Sequence, residues 1–383
     1  MLNGRFSSLR RALGICALFT SSLLWAQNAD IEPKLKQAVS LDPTNFEANY
    51  ELGEFYFHSG KLLEGIPYME KAQSLRPADY VSGYDLALAY FDTHEYTKAR
   101  HQLQTMLGRK DSAELHSLLA DVDEAAGDYL VAAKEYQQAA RMDPSEENIF
   151  NWGTELLAHR AWGAAVEVFN SGVALHDKSA KLNLGLGIAL YWRGDYDRAI
   201  KALCLATDLN PSEAWPYVFL GKLSNVATIN MEEVRKRFAR FTQLQPNNAQ
   251  AFYYYAMSLW NRIANSDANL PQVESLLKRA VLLDPSFADA HFQLGILYSD
   301  QSKYAEAINE FKRAIALQPN LTTAHYHLAQ AYKRTGQKTD AGRELHLFED
   351  LRQQDQVEVE KERNDIVQLI ITMKEQSPSA PSR

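Results

Sequence analysis

The strongest constraint on this chain is a block of roughly 34 residues that recurs along most of its length. In the block from Ala288 to Leu321, Leu294, Gly295 and Tyr298 lie one to four residues apart. Leu294 and Tyr298 therefore share one face of a helix, with Gly295 beside them. A second helical pattern of small and large apolar residues follows, and Pro319 ends it because proline cannot continue a helix. Each block is therefore predicted to form two packed helices.

The block resembles the tetratricopeptide repeat, whose signature is an aromatic residue, Leu-Gly, Tyr, Ala, Phe and Pro. His291 occupies the first aromatic position here, and the other five positions match: Leu294-Gly295, Tyr298, Ala307, Phe311 and Pro319. Nine complete blocks are recognised in register, beginning near residues 46, 80, 113, 146, 180, 214, 249, 288 and 322. The resemblance implies an all-α fold, a right-handed α-solenoid of about nine helix-turn-helix units.

The repeat assignment also predicts what flanks the array. Residues 31–45 match only a second helix and are expected to be a partial N-terminal repeat, with the array proper at 46–355. Residues 356–376 are predicted to form a C-terminal helix whose apolar end, from Ile366 to Met373, caps the last repeat or joins two copies of the chain. Residues 377–383 are rich in Ser and Pro and are expected to be disordered.

The first 26 residues have the layout of a secretory signal peptide. Three arginines precede an uncharged run from Ala12 to Trp25, and a cleavage site follows Ala26. We therefore expect an exported protein, periplasmic or extracellular. An uncleaved segment that anchors the chain to a membrane is the alternative. Cleavage would leave Cys204 as the only cysteine, so no disulfide could form within the chain.

The charge balance excludes some classes of partner. The formal net charge is -8 and becomes -11 once the three arginines of residues 1–26 are removed. A nucleic-acid-binding protein needs a basic face, so nucleic acid is not an expected partner. No membrane insertion is expected after signal cleavage.

Members of the family line a concave groove with their first helices, so the resemblance implies a groove here too. Residues 46–145 hold 17 acidic and 9 basic residues, and an acidic groove entrance is predicted. Its residues are Glu47, Glu51, Glu54, Asp85, Glu114, Asp121 and Glu124.

From the fourth to the eighth block the equivalent positions are aromatic or aliphatic. Such side chains offer a large contact area to an apolar helix or extended segment. The predicted partner-binding groove is formed by Phe150, Leu184, Ile188, Tyr191, Trp192, Trp215, Phe219, Tyr253, Tyr254, Met257, Trp260 and Phe292. Several of these positions also pack against neighbouring helices, so burial is the alternative. Complete burial of Tyr254, Trp192 and Trp260 would exclude the groove.

No catalytic, cofactor or metal constellation is predicted. His325 and His327 are two residues apart and lie on different faces of a helix, which makes them a poor metal pair. Some family members grip a C-terminal carboxylate with a Lys at one position of the first helix. That position holds Tyr50, Tyr84, Ser117 and Phe150 here, so this clamp is not expected.

The sequence thus favours a non-enzymatic scaffold that binds a peptide or protein segment, and assembly of an envelope, pilus or secretion complex is the expected role. The alternative is a regulatory or substrate-presenting subunit of an enzyme, such as a glycosyltransferase, encoded on a separate chain. A homo-oligomer joined through the C-terminal helix is a further possibility.

Overall fold

The structure is a computed structural model that describes residues 31–223, 232–260 and 269–353. The chain divides into two compact units, Met1–Met142 and Asp143–Arg383. The predicted signal peptide, C-terminal helix and disordered tail lie outside the described residues, as does part of the expanded seventh block, at 261–268.

Unit 1 consists of seven helices in its described part. Helix α1 belongs to the partial repeat, and three pairs follow it. The helices are α1 (Ile31–Leu41), α2 (Phe46–His58), α3 (Leu62–Leu75), α4 (Tyr80–Asp92), α5 (Tyr96–Leu107), α6 (Ala113–Ala126) and α7 (Tyr129–Met142).

Unit 2 continues the alternation of first and second helices. They are α8 (Glu146–Ala158), α9 (Trp162–Leu175), α10 (Ala180–Arg193), α11 (Tyr196–Leu209), α12 (Trp215–Leu223), α13 (Glu232–Leu244), α14 (Ala249–Leu259), α15 (Leu270–Leu283), α16 (Ala288–Asp300), α17 (Tyr304–Leu317), α18 (Thr322–Arg334) and α19 (338–353). Every described element in both units is helical, which confirms the predicted all-α repeat fold.

Short polar residues fix where many first helices begin. The side chains of Asn45, Asp79, Ser112, Ser145 and Ser179 each accept a hydrogen bond from a backbone N–H in the first turn of the helix that follows. These N–H groups have no partner inside the helix, so the caps satisfy groups that would otherwise be unpaired. The cap recurs in the first five repeats, whereas α16 and α18 begin without a side-chain cap.

Glycines on the first helices allow rings of the second helices to approach closely. The ring of Phe169 on α9 is fully buried and lies between Gly153 of α8 and Gly185 of α10. A Cβ added at Gly153 would lie 2.4 Å from that ring, and one added at Gly185 would lie 2.3 Å from it. Phe169 therefore joins three helices in one contact, and neither glycine can be replaced without moving the ring.

The histidines at the first signature position form a repeated polar clip. Nδ1 of His291 lies 2.6 Å from Oε2 of Glu310, and its Nε2 lies 3.3 Å from the carbonyl oxygen of Pro285. His325 makes the same pair of contacts, 2.6 Å to Glu344 and 3.0 Å to Pro319. Both imidazoles are buried, so the two contacts satisfy ring nitrogens that water could not reach. His116 follows the same scheme with a carboxylate at each nitrogen.

Two other features depart from a regular repeat. Pro67 lies inside α3, where it cannot donate a backbone hydrogen bond to the preceding turn. Cys204 on α11 is half-buried, and burial raises the pKa of its thiol to about 11, so it is not a thiolate at neutral pH.

None of the described helices combines the length and apolar character needed to span a membrane.

Candidate functional site

The acidic face of unit 1 comprises the seven predicted carboxylates on α2, α4 and α6. Tyrosine hydroxyls from neighbouring helices reach several of them. Tyr50 of α2 donates a hydrogen bond of 2.6 Å to Oδ2 of Asp85 on α4, and Tyr80 of α4 donates one of 2.6 Å to Oε2 of Glu114 on α6. These two bonds join consecutive repeats of unit 1. Tyr136 of α7 donates to Asp121 of α6 within a single repeat.

Aromatic stacking holds these tyrosines in place. The rings of Phe46 and Tyr50 stack with centroids 5.8 Å apart, and those of Tyr80 and Tyr84 stack at 6.2 Å. The stacked pairs repeat with the period of the array, because each pair lies one helical turn apart on a first helix. The sequence prediction named the acids of this face but missed the tyrosines that hold them.

A phenol is neutral, so its hydrogen bond leaves the negative charge of the carboxylate in place. Burial raises the pKa of Glu54, and the nearby negative charge of Asp85 adds to the rise. Burial, followed by the charge of Glu114, raises the pKa of Tyr84 to about 12. The face thus keeps a negative potential that favours positively charged ligands.

Basic residues offset only part of this charge. Arg76 bonds to Glu47 at 2.9 Å, and His58 lies 3.2 Å from Glu54. Glu51 is exposed and makes no hydrogen bond or ion pair with any described residue. Glu124 is half-buried on α6. The predicted acidic residues therefore share first helices, but most of them are engaged within unit 1.

The aromatic face of unit 2 comprises the predicted groove residues on α8, α10, α12, α14 and α16, together with Trp260 just beyond α14. Its members differ widely in exposure. Trp215 is 42% exposed and Trp192 is 51% exposed. The half-buried members are Phe150, Leu184, Ile188, Tyr191, Tyr253, Tyr254, Met257 and Phe292. The combined burial of Tyr254, Trp192 and Trp260 that would have excluded a groove is not observed.

Two predicted members of this face are buried, which corrects their assignment as contact residues. Trp260 and Phe219 are each only 8% exposed. Trp260 packs in a core cluster with Leu294 and Leu297 of α16. Phe219 lies edge-on to Tyr191 of α10, because α12 is packed between α10 and α14. Both rings support the face from within.

Tyr254 is partly used for packing as well. Its ring fills the space above Gly221, where an added Cβ would lie 2.1 Å from the ring. Burial, and next the charge of Asp289, raises the pKa of Tyr254 to about 12, so its hydroxyl remains a neutral donor at physiological pH. Leu184 and Ile188 lie four residues apart on α10 and carry no polar group, so they offer a simpler apolar surface.

Trp192 departs from the predicted row of groove residues. Its indole stacks on that of Trp162, the first residue of α9, with centroids 5.4 Å apart and ring planes inclined by 14°. Trp162 follows the turn between α8 and α9, and Trp192 is next to the last residue of α10. The pair therefore lies at the turn end of these helices. Trp162 was not among the predicted site residues, since only the fold brings the two residues together.

Four family models match the chain. The tetratricopeptide repeat models match residues 46–79, 84–147 with 150–214, and 276–309, and a TPR repeat model matches 297–336. Together these segments cover more than half of the chain. No curated protein matches it.

Several solved structures resemble this one. The C-terminal part of a TPR repeat-containing protein from Cytophaga hutchinsonii is 14% identical, with 73% of this chain and 99% of that chain covered and a TM-score of 0.50. MamA is 21% identical over 44% of this chain and 96% of its own, with a TM-score of 0.37. YrrB, described as a TPR protein with an unusual peptide-binding site, is 16% identical over 48% and 95%, with a TM-score of 0.39.

At these identities a structural likeness concerns the fold alone, and family membership rests on the repeat matches. Those matches fall on the helix pairs that carry the buried small and large residues described above. The chain belongs to the tetratricopeptide repeat family.

Proposed function

We propose that the aromatic face of unit 2 binds an apolar segment of a protein partner. Tetratricopeptide repeats serve as protein-protein interaction scaffolds, which gives the general class of function. The observation that carries the proposal is the set of half-buried apolar side chains on consecutive first helices of unit 2. Side chains of this kind gain free energy when a partner removes their remaining surface from water.

The segment bound there is either an apolar helix or an extended strand-like peptide. Leu184 and Ile188 on α10, flanked by Phe150 on α8, form the part of the face that lacks polar groups. Lys181 lies 4.4 Å above the ring of Phe150 and pairs with Glu147, so a charged rim borders this apolar patch. Such an arrangement of apolar centre and polar rim is typical of specific interfaces.

The acidic face of unit 1 gives the proposed scaffold a second kind of contact. Its uncompensated carboxylates would attract basic residues of a partner and accelerate encounter. We further propose that the protein is non-enzymatic, that it is exported by the predicted signal peptide, and that it acts in assembly of an envelope or secretion complex. The mass of the mature protein tests export, because cleavage after Ala26 would leave Gln27 as the first residue.

A site-specific photo-cross-linker tests the binding face. Placed at Ile188, it should capture a partner from envelope extract, and the double substitution Leu184→Asp with Phe150→Asp should abolish capture. A cross-linker at Leu175, which is 63% exposed on the second helix α9, is the matched control and should capture nothing specific. Equal capture at both positions, or capture that survives the double substitution, would remove the aromatic face as the binding site.

A further inference from the structure

Two residues of the aromatic face, Tyr191 and Trp192, also belong to an exposed aromatic cluster at the turn end of α9 and α10. We call it the tryptophan platform, formed by Trp162, Trp192, Tyr191 and Tyr196. Trp162 and Trp192 stack, and Tyr191 meets the Trp192 ring edge-on at 5.3 Å and the Tyr196 ring at 6.1 Å. Trp192 is 51% exposed and Tyr196 37% exposed. Four aromatic rings thus form one connected surface that water reaches.

The packing of the repeat does not require this surface. Tryptophan occupies the position of Trp192 in none of the other described repeats, which carry small or polar residues there: His58, Asp92, Ala125, Ala158, Asp300 and Arg334. Those repeats form the same helix pairs without an indole. A large aromatic residue that is half-exposed and unnecessary for the fold indicates a contact with another molecule.

The geometry of the platform favours one kind of polypeptide. Neither indole N–H makes a hydrogen bond to a described residue, so both remain available as donors. A proline-rich segment in the polyproline II conformation has rigid flat rings that pack on aromatic faces and backbone carbonyls that lack internal partners. It is also ordered before it binds, which lowers the entropic cost. An amphipathic helix, in contrast, needs a groove that takes its side chains.

The charged residues around the platform favour an acidic segment. Arg193 and Arg198 both pair with one carboxylate, that of Asp195, at 3.2 and 3.3 Å. Lys222 adds a cation 5.3 Å from the ring of Phe219, which packs against Tyr191.

Asp195 and Asp197 flank Tyr196 in the sequence, so the three cations outnumber these two carboxylates. Charge complementarity thus points to acidic residues beside the prolines of the partner.

We propose that the tryptophan platform binds a proline-rich segment flanked by acidic residues, with its prolines on the indoles and its carbonyls on the indole N–H groups. The platform shares Tyr191 and Trp192 with the aromatic face but does not include Leu184 or Ile188.

Calorimetric titration with synthetic peptides tests the proposal. The probe is a run of prolines flanked on both sides by aspartates, and the matched peptide carries lysines in place of the aspartates. We expect the acidic peptide to bind with a Kd of about 100 μM or tighter, and more weakly as salt is raised. The lysine peptide should bind at least about tenfold more weakly.

Two single substitutions locate the site. Trp192→Ala should weaken binding of the acidic peptide by about tenfold or more, because an exposed aromatic anchor is lost. Trp215→Ala removes another half-exposed tryptophan, outside the platform, and should change the affinity by less than about twofold. Circular dichroism of both variants checks that their helices are intact.

Three results would overturn the proposal: no binding of the acidic peptide at about 1 mM, equal binding of the lysine peptide, or unchanged affinity in a folded Trp192→Ala variant. An apolar helical peptide that binds more tightly and depends on Trp192 would assign the platform to helices instead. The double substitution Leu184→Asp with Phe150→Asp should leave peptide binding at the platform unchanged. A failure of the platform proposal can therefore be distinguished from a failure of the proposed binding at the aromatic face.

Discussion

The first helices of unit 1 and unit 2 pack by the same repeat pattern but meet their neighbours through different chemistry. In unit 1, Tyr50 reaches Asp85 and Tyr80 reaches Glu114, so hydroxyl-carboxylate hydrogen bonds join one repeat to the next. In unit 2, the corresponding contacts are between rings, as between Tyr191 and Phe219. The difference teaches that the buried signature positions determine the fold, whereas the positions at the helix surface are free to determine the kind of ligand.

The largest expected effect on stability comes from a substitution beside the ring of Phe169. This substitution tests whether unit 2 depends on close packing of that ring. Gly153→Ala should lower the free energy of unfolding by about 2 kcal/mol, because the new methyl group overlaps a ring that Gly185 confines on its other side. Two of the three equivalent residues of unit 1, Ala87 and Ala120, are fully buried and already have a Cβ, and the third, Gly53, faces Met69 and not a ring. Urea unfolding followed by circular dichroism measures the change.

Gly163 is the control for this substitution. It lies near the start of α9, and a Cβ there would meet nothing within 4 Å. Gly163→Ala should therefore stabilise the protein by about 0.5 kcal/mol through the reduced freedom of the unfolded chain. Equal effects of the two substitutions would mean that the Phe169 contact is not the constraint described here.

The tyrosine-carboxylate bonds give an intermediate effect. Tyr50→Phe keeps the stack on Phe46 but removes the hydrogen bond to Asp85, and it should cost about 1 kcal/mol of unfolding free energy. The hydroxyl of Tyr84 makes no hydrogen bond to a described residue, so Tyr84→Phe should be nearly neutral. Thermal unfolding of the two variants separates them. If Tyr50→Phe were as mild as Tyr84→Phe, the bonds would contribute nothing to the cohesion of unit 1.

The smallest effect concerns pH and the charge of the acidic face. The pKa of Glu54 is raised in the folded state by burial and by Asp85, so ionisation of Glu54 opposes folding. The folded state binds this proton more readily than the unfolded state. The free-energy penalty of ionising Glu54 in the folded state is therefore present at pH values above the raised pKa. It disappears as the pH falls through that pKa to the ordinary pKa of 4.5.

Glu54→Gln should therefore stabilise the protein at pH 7 by about 0.5 kcal/mol, a modest value because the site is partly open to solvent. The gain should vanish below pH ~4.5. Unfolding titrations at several pH values measure it. A substitution that destabilises the protein at pH 7 would show that the His58 contact outweighs the repulsion.

The repeat pattern in the sequence predicts the all-α fold because buried residues recur at positions set by helix geometry. Leu294, Gly295 and Phe311 are buried as their spacing requires. The exposure of side chains on the acidic and aromatic faces does not follow from the repeat position alone. Tyr191 and Trp260 occupy the same repeat position, yet Tyr191 is half-buried and Trp260 is buried, because their neighbours differ.

Contacts between residues of different repeats were also beyond the reach of the sequence. Trp162 and Trp192 are thirty positions apart, and Tyr50 and Asp85 are separated by 35. Nothing in the spacing of either pair distinguishes it from other aromatic or acidic residues of the array. The division after Met142 likewise falls within a run of regular repeats.

The histidine clips bear on how such an array can be rearranged. His291 takes both its partners, Pro285 and Glu310, from a stretch shorter than one repeat length, and His325 does the same with Pro319 and Glu344. A gene segment that encodes such a stretch carries its own polar contacts, so duplication or transplantation leaves no buried imidazole unpaired. The hydrogen bonds from Tyr50 to Asp85 and from Tyr80 to Glu114 span two repeats and would be broken by the same exchange. A repeat that relies on a clip alone is an interchangeable unit, whereas repeats joined by these bonds depend on their order.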